Sequence, residues 1–195
     1  MQRIDTLLMP ESHLIVIDFE CTCSDEGTPA SEKVLPDAME IIEIVAVIAN
    51  FQGEVVDRFG RFVRPAERPT LTEFCHSLTA IKQADLDTAD SLSSVLAELD
   101  RWLGSSRAML EGWGSWGAFD HRQLQRECAR KGLANPLASL LHTNLKDRFA
   151  KRLGIKQVGM AKALQLADLP LLGAHHRGMD DSLNIARLIP HSLGL

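Results

Sequence analysis

Asp18-Phe19-Glu20 follows the apolar run Leu14-Ile15-Val16-Ile17, so two carboxylates stand where a segment suited to a buried strand reaches the edge of its sheet. Residues separated by one position in an extended chain point to the same side. Held together and partly withdrawn from water, two carboxylates repel each other, and one takes up a proton unless a divalent cation neutralises them. On its own, a D-x-E pattern most simply marks a strand running out into a solvated acidic turn. Its meaning depends on whether other groups of the same chemistry can be brought back to that strand end.

Three candidates lie downstream. Asp120 follows the glycine-rich stretch Trp113-Gly114-Ser115-Trp116-Gly117 and opens a helical segment, where a carboxylate also complements the helix dipole. Asp180-Asp181 opens the last helical segment in the same way, with capping as the ordinary role for Asp180. Just before it stands His175-His176-Arg177-Gly178, and an imidazole exchanges protons near neutrality. A D-x-E at a strand end, an Asp at a later helix start and a His five residues before another Asp form a joint pattern far rarer than its parts. Its chemistry is that of hard oxygen ligands for divalent metal with a proton acceptor beside them.

The elements that must position these groups are read from periodicity. Strand-like segments cover residues 14–18, 41–49 and 55–63, with Phe51-Gln52-Gly53-Glu54 as the hairpin turn between the last two. Residues 24–37 read as a loop. A helix over 91–103 carries Leu92, Val95, Leu96, Leu99 and Leu103 at helical spacing, and 108–113 suits a further strand. Helices follow over 118–131, stopped by Gly132, over 145–153, stopped by Gly154, and over 160–167 and 180–188. Three strands followed by alternating helix and strand predict a mixed sheet flanked by helices; the pattern alone supports only this general α/β class, and the resemblance given below implies its ribonuclease H-like, five-stranded form.

Size and composition bound the rest. The chain of 195 residues is 45% apolar and 24% charged, which suits one soluble domain spanning 1–195 with its core over about 13–190. A net charge of −5 supplies no general attraction for a polyanion, so a nucleic-acid substrate would have to be held by local groups or by metal. The first ten residues are too interrupted for a signal peptide and no apolar stretch is long enough to span a membrane, so a cytoplasmic location is expected. The four cysteines, Cys21, Cys23, Cys75 and Cys128, are expected to be reduced, with Cys21, Cys23 and Cys75-His76 only a weak pattern for zinc.

Taken in order, Asp18-Phe19-Glu20, Asp120 within Gly114-Ser115-Trp116-Gly117-Ala118-Phe119-Asp120, and His176 with Asp181 resemble the DEDDh subgroup of the DnaQ-like 3′-to-5′ exonucleases. Glu40-Ile41-Ile42-Glu43-Ile44, Phe62-Val63-Arg64-Pro65, Phe74-Cys75-His76-Ser77-Leu78-Thr79-Ala80-Ile81, Asn144-Leu145-Lys146 and Asp180-Asp181-Ser182-Leu183-Asn184-Ile185-Ala186-Arg187 are similar to the Eri-like branch. That branch includes animal 3′ histone-mRNA and small-RNA exonucleases and bacterial KapD-like proteins. The resemblance runs from about His13 to Ile189, with two departures: Ala80 replaces a usual glycine, and Cys21 a common alanine.

The resemblance implies hydrolysis of terminal phosphodiesters with release of nucleoside 5′-monophosphates, using two Mg²⁺ or Mn²⁺ ions per active site. Asp18 would bridge both ions, Glu20 and Asp181 would complete one, and Asp120 would serve the other. His176 would be the general base; the alignment of Asp181 through Asn184-Ile185-Ala186 selects it over His175, whose spacing to Asp180 is the same. Phe19, the backbone of Cys21 and Thr22, Leu78, Thr79, Ile81 and His176 would contact the terminal nucleotide. Trp116 joins them as a candidate base contact, although packing is the commoner role for such a residue. Glu43, inside an isoleucine-rich strand, is read either as a group that orients the metal ligands, the favoured role, or as a hydrogen bonder at a buried edge.

Single-stranded nucleic-acid 3′ ends are the expected partner, RNA before DNA. A DNA-directed repair or proofreading exonuclease of the same superfamily is the first alternative, and a catalytically silent binding module is a second. A metal-dependent phosphatase or transposase-type nuclease on a similar sheet is a third, with no place for the histidine.

Overall fold

The computed structural model describes residues 12–104, 106–174 and 177–195. Six strands form one sheet: β1 (His13–Cys21), β2 (Ile41–Asn50), β3 (Val55–Arg64), β4 (Asp90–Ser91), β5 (Leu110–Ser115) and β6 (His142–Asn144), ordered β4-β3-β2-β1-β5-β6. β1, β2 and β3 are joined antiparallel, whereas β5 runs parallel to β1 and β6 parallel to β5. The sheet thus has six strands where five are expected from the sequence. Periodicity locates four of the six and misses β4 and β6, whose two and three residues offer no alternation from which to read a strand.

The helices are α1 (Glu73–Thr79), α2 (Gln83–Asp87), α3 (Leu92–Gly104), α4 (Phe119–Lys131), α5 (Leu145–Leu153), α6 (Met160–Leu166), α7 (Gly178–Arg187) and α8 (Ile189–Leu193). Sequence periodicity misses α1, α2 and α8, each seven residues or fewer. Helix α7 begins two residues before the expected start, with Arg177 as its N-cap. Asp180 is therefore inside the helix rather than its cap. None of the helices among the described residues is long and apolar enough to cross a membrane.

Alternation along β1 divides the core. Ile15, Ile17, Phe19 and Cys21 join Ile44, Ala46 and Ile48 under α3 and α4, with Leu96, Leu99, Leu124 and Cys128 from the helices. Leu14 and Val16 face the other side and pack with Val47, Leu145, Phe149, Leu164 and Ile185 from β2, α5, α6 and α7. A central strand buried on both faces explains the unbroken apolar run that precedes Asp18.

Asp18 and Glu20 continue the Leu14 and Val16 face. They do not lie beyond the strand: β1 extends to Cys21, with Asp18 opposite Val45 and Glu20 opposite Glu43 on β2. Hydrogen bonding to β2 carries the strand four residues past the end of its apolar run, and a register irregularity after Glu20 ends the regular pairing.

Candidate active site

The carboxyl ends of the parallel neighbours β1 and β5 share one edge of the sheet. From that edge Asp18 and Glu20 project out of β1, and the chain leaving β5 turns through Trp116-Gly117-Ala118 into α4. Asp120 lies in the first turn of α4, buried, and its Oδ1 accepts the Phe19 backbone N–H at 3.0 Å. That bond ties the third carboxylate to the residue between the first two. Asp181, in the first turn of α7, is also buried.

Anchors at the other end of α4 fix its position. Glu127 Oε2 accepts the Ile41 N–H at 2.8 Å, and Gln123 donates to the Met39 carbonyl at 2.9 Å. Lys131 bridges Glu127 and the fully buried Glu40, whose carboxylate also accepts N–H groups from Ala66, Glu67 and Arg68. The start of β2, the end of β3 and α4 are thereby joined in one buried polar network. Such a network is stable because each member is satisfied.

Helix α7 reaches the sheet through Gly178. A Cβ at this position would stand 2.9 Å from Val45 Cγ2 and 3.0 Å from Glu43 Oε2. Only a residue without a side chain lets the helix start lie so close to β2, and this closeness carries Asp181 toward Asp18 and Glu20.

A cleft of about 280 Å³ is lined by Asp18, Phe19, Glu20, Trp116, Gly159, Met160, Asp181 and Ile185. Beside it a second cleft of about 300 Å³ is lined by Glu43, Phe62, Thr79, Ala80, Ile81, Lys82, Asp85 and Arg177. Glu43 and Glu20, opposed across β1 and β2, mark the boundary between the two.

The crowding shifts the proton equilibria of these groups. Asp18 is pushed well above the usual carboxylate range by burial, and then by Asp120, Glu20, Asp181 and Glu43. Burial, with Glu43 and Asp181 next, raises Glu20 to about 8. Burial lifts Asp120 to about 6, although hydrogen bonds from the Phe19 backbone and the Ser115 side chain oppose the shift. Glu43 is raised by burial, with Arg177 pulling the other way.

These groups fit divalent metal. Their oxygen atoms are hard donors, and a cation replaces mutual repulsion with attraction at all four carboxylates. Among the described residues, no three His, Cys, Asp or Glu side chains already stand as a chelating group. The carboxylates are linked through a common cleft, the Phe19–Asp120 bond and their mutual repulsion.

Of the expected nucleotide contacts, Phe19 and Trp116 lie in the carboxylate cleft, and Thr79 and Ile81 in the neighbouring one. Trp116 also packs: its ring meets Phe149 edge-on at 5.7 Å and its Nε1 donates to the Val158 carbonyl. Leu78 is exposed on α1. Cys21 is buried in the core, and Thr22 is buried with its hydroxyl accepting the Glu40 N–H at 2.9 Å. His175 and His176 lie outside the described residues.

Sequence reasoning does not single out Gly159, Met160, Ile185, Lys82 or Asp85. Ordinary residues in a loop or on a helix give no signal of a cleft formed by elements far apart in the chain. Arg177 had one, as a cation beside the histidine pair. Cys23 and Cys75 meet thiol to thiol, and Cys75 Sγ donates to the Cys21 carbonyl at 3.5 Å; all four cysteines are free.

The family model for exonucleases (RNase_T) matches residues 15–189, nearly all of the folded region. This chain is an exonuclease-family member. The nuclease domain of 3′hExo, a DEDDh family member solved bound to rAMP, is 30% identical, with a TM-score of 0.79 over 91% of this chain and 89% of that one. That likeness puts the exonuclease within the DEDDh group and its sheet within the ribonuclease H-like folds.

Among curated relatives, mouse ERI1 exoribonuclease 2 is 32% identical over 91% of this chain and 28% of its own length. Mouse 3′-5′ exoribonuclease 1 is 31% identical over 90% of this chain and 51% of its own length. The chain thus spans between about a quarter and a half of these relatives.

Proposed function

We propose that this chain is a divalent-metal-dependent 3′-to-5′ exonuclease that removes nucleoside 5′-monophosphates from single-stranded 3′ ends, RNA in preference to DNA. The observation that carries the reading is the meeting of Asp18, Glu20 and Asp181 in one cleft with Asp120 bonded to the backbone between the first two. Family membership and exoribonuclease relatives on both curated and structural comparison support it.

Asp18, Glu20, Asp120 and Asp181 would hold two Mg²⁺ or Mn²⁺ ions, which when bound supply Lewis-acid stabilisation of the phosphate and a more acidic water. The chain's own contribution is placement. Trp116 offers apolar surface to a terminal nucleoside beside the carboxylates, a mode of holding a base that does not read its identity, while Phe19 lines the same cleft with its ring packed in the core. The Phe19 N–H fixes Asp120 Oδ1 so that this carboxylate keeps one orientation through turnover. His176 is the proposed proton acceptor for the attacking water, within reach of ordinary imidazole chemistry at neutral pH.

Matched 5′-labelled single-stranded RNA and DNA, with free and blocked 3′ ends, test the proposal. Stepwise, magnesium-dependent shortening of free-ended RNA is expected, with DNA slower and blocked ends inert. A clear DNA preference would favour the repair or proofreading alternative. Cleavage of blocked strands would contradict an exonuclease.

A further inference from the structure

Residues 170–174, which lead into the histidine pair, are tied to α7 by side chains from one face of that helix. Arg187 Nη1 donates to the Pro170 carbonyl at 2.7 Å. Asn184 accepts the Leu172 N–H at 3.1 Å through Oδ1 and donates to the Leu172 carbonyl at 2.8 Å through Nδ2. Asp180 Oδ2 accepts the Ala174 N–H at 2.9 Å. The ties fall at every second residue of the loop and at spacings of four and three along the helix. Two residues of extended chain advance about 6.6 Å, and three or four of helix about 4.5–6 Å, so the two runs remain nearly in step.

Asn184 is fully buried and makes four hydrogen bonds, adding the Asp180 carbonyl at 2.8 Å and Arg187 Nη1 at 3.1 Å to its two with Leu172. Its amide is therefore fully satisfied. Gly173 lets the loop lie close, with φ +69° and a hypothetical Cβ only 2.3 Å from the Asp180 carboxyl. Apolar burial does not hold the segment, because Leu171 and Leu172 remain 43% and 48% exposed. Among the described residues, hydrogen bonds to α7 hold its path as far as Ala174.

The geometry points to Asp180, Asn184 and Arg187 as positioning residues that set where the chain enters the histidine segment, and so set the placement of the His176 base. This rests on the proposed role of His176. The same helix carries Asp181, buried in its first turn, so one element holds a proposed metal ligand while strapping the segment that leads to the base.

Asn184→Ala and Gly173→Ala test the assignment, the second leaving every helix side chain intact. Each should lower kcat about 10- to 100-fold with KM little changed, the scale expected when a reacting group is displaced by about 1 Å. Mn²⁺ affinity should be unchanged, and backbone exchange at Leu172 and Ala174 should accelerate in both variants. In a His176→Ala background the same substitutions should have no further effect on kcat, because the positioned group is gone.

An undiminished Asn184→Ala effect in that background, or a change in KM alone, would overturn the positioning role while leaving the histidine assignment intact. Wild-type turnover by His176→Ala would overturn both. Arg187→Met, at the more exposed end of the strap, provides a milder variant with the same expected pattern should Asn184→Ala fold poorly.

Discussion

Replacing Glu20 with Gln should stabilise the metal-free protein and disable the metal-loaded one. The folded protein keeps a proton on Glu20 up to about pH 8, whereas the ordinary value is 4.5. Between these values the native state binds more protons than the unfolded chain, so stability falls as pH rises through this window. At pH 7.5 the three units above 4.5 correspond to about 4 kcal/mol. Partial solvent screening and proton sharing among Asp18, Asp120 and Asp181 reduce the gain available from one substitution to about 2 kcal/mol.

Urea unfolding in chelator at pH 7.5 should therefore show Glu20→Gln more stable by about 2 kcal/mol, or about 4–8 °C in a thermal scan. The wild type should lose stability from pH 5 to pH 8 in chelator, and the variant should lose less. Saturating magnesium should reverse the order, because the cation stabilises the wild-type carboxylates through binding to the native state. A variant no more stable than wild type in chelator, or a wild-type profile flat across this range, would refute the reasoning.

Three further substitutions probe the scaffold. Ala80 ends α1 with φ 56°, a left-handed conformation that disfavours a side chain, so Ala80→Gly should stabilise the protein by about 1 kcal/mol in urea unfolding. Lys131 bridges the buried carboxylates of Glu40 and Glu127, and Lys131→Met should destabilise by about 3 kcal/mol by leaving both without their cation. Gly178→Ala places a Cβ 2.9 Å from Val45 Cγ2, so it should lift the start of α7, weaken Mn²⁺ binding measured by calorimetry and reduce turnover.

Long, periodic elements were legible in the sequence. The strands now defined as β2 and β3 and the helices α3, α4 and α5 fall within about two residues of their expected bounds, because alternation or helical spacing was sustained and glycine marked the stops. The continuation of β1 to Cys21 was not legible, since polarity suggested an exit where pairing with β2 continues the strand.

At the site, the identities of Asp18, Glu20, Asp120 and Asp181 came from residue type and order. Their mutual arrangement depends on contacts between distant residues. The Phe19–Asp120 hydrogen bond spans 101 positions, and the opposition of Glu20 to Glu43 depends on strand register. Asp180 shows the limit of local rules: its position suggested a cap, whereas the loop strapped to α7 gives its carboxylate another partner at Ala174. The unusual Ala80 was visible from the resemblance, but its physical meaning required the φ angle.

The central claim is that the carboxylates gathered at the end of β1 form the metal-dependent centre of a 3′-to-5′ exonuclease. Its most direct test measures mononucleotide release from 3′-labelled single-stranded RNA across a magnesium titration, with wild type and Asp18→Ala in parallel and Mn²⁺ binding followed by calorimetry. Wild-type release should rise with metal, while Asp18→Ala should bind Mn²⁺ more weakly and release almost nothing at any concentration. Metal-independent release by the wild type, or undiminished release by a folded Asp18→Ala protein, would contradict the account.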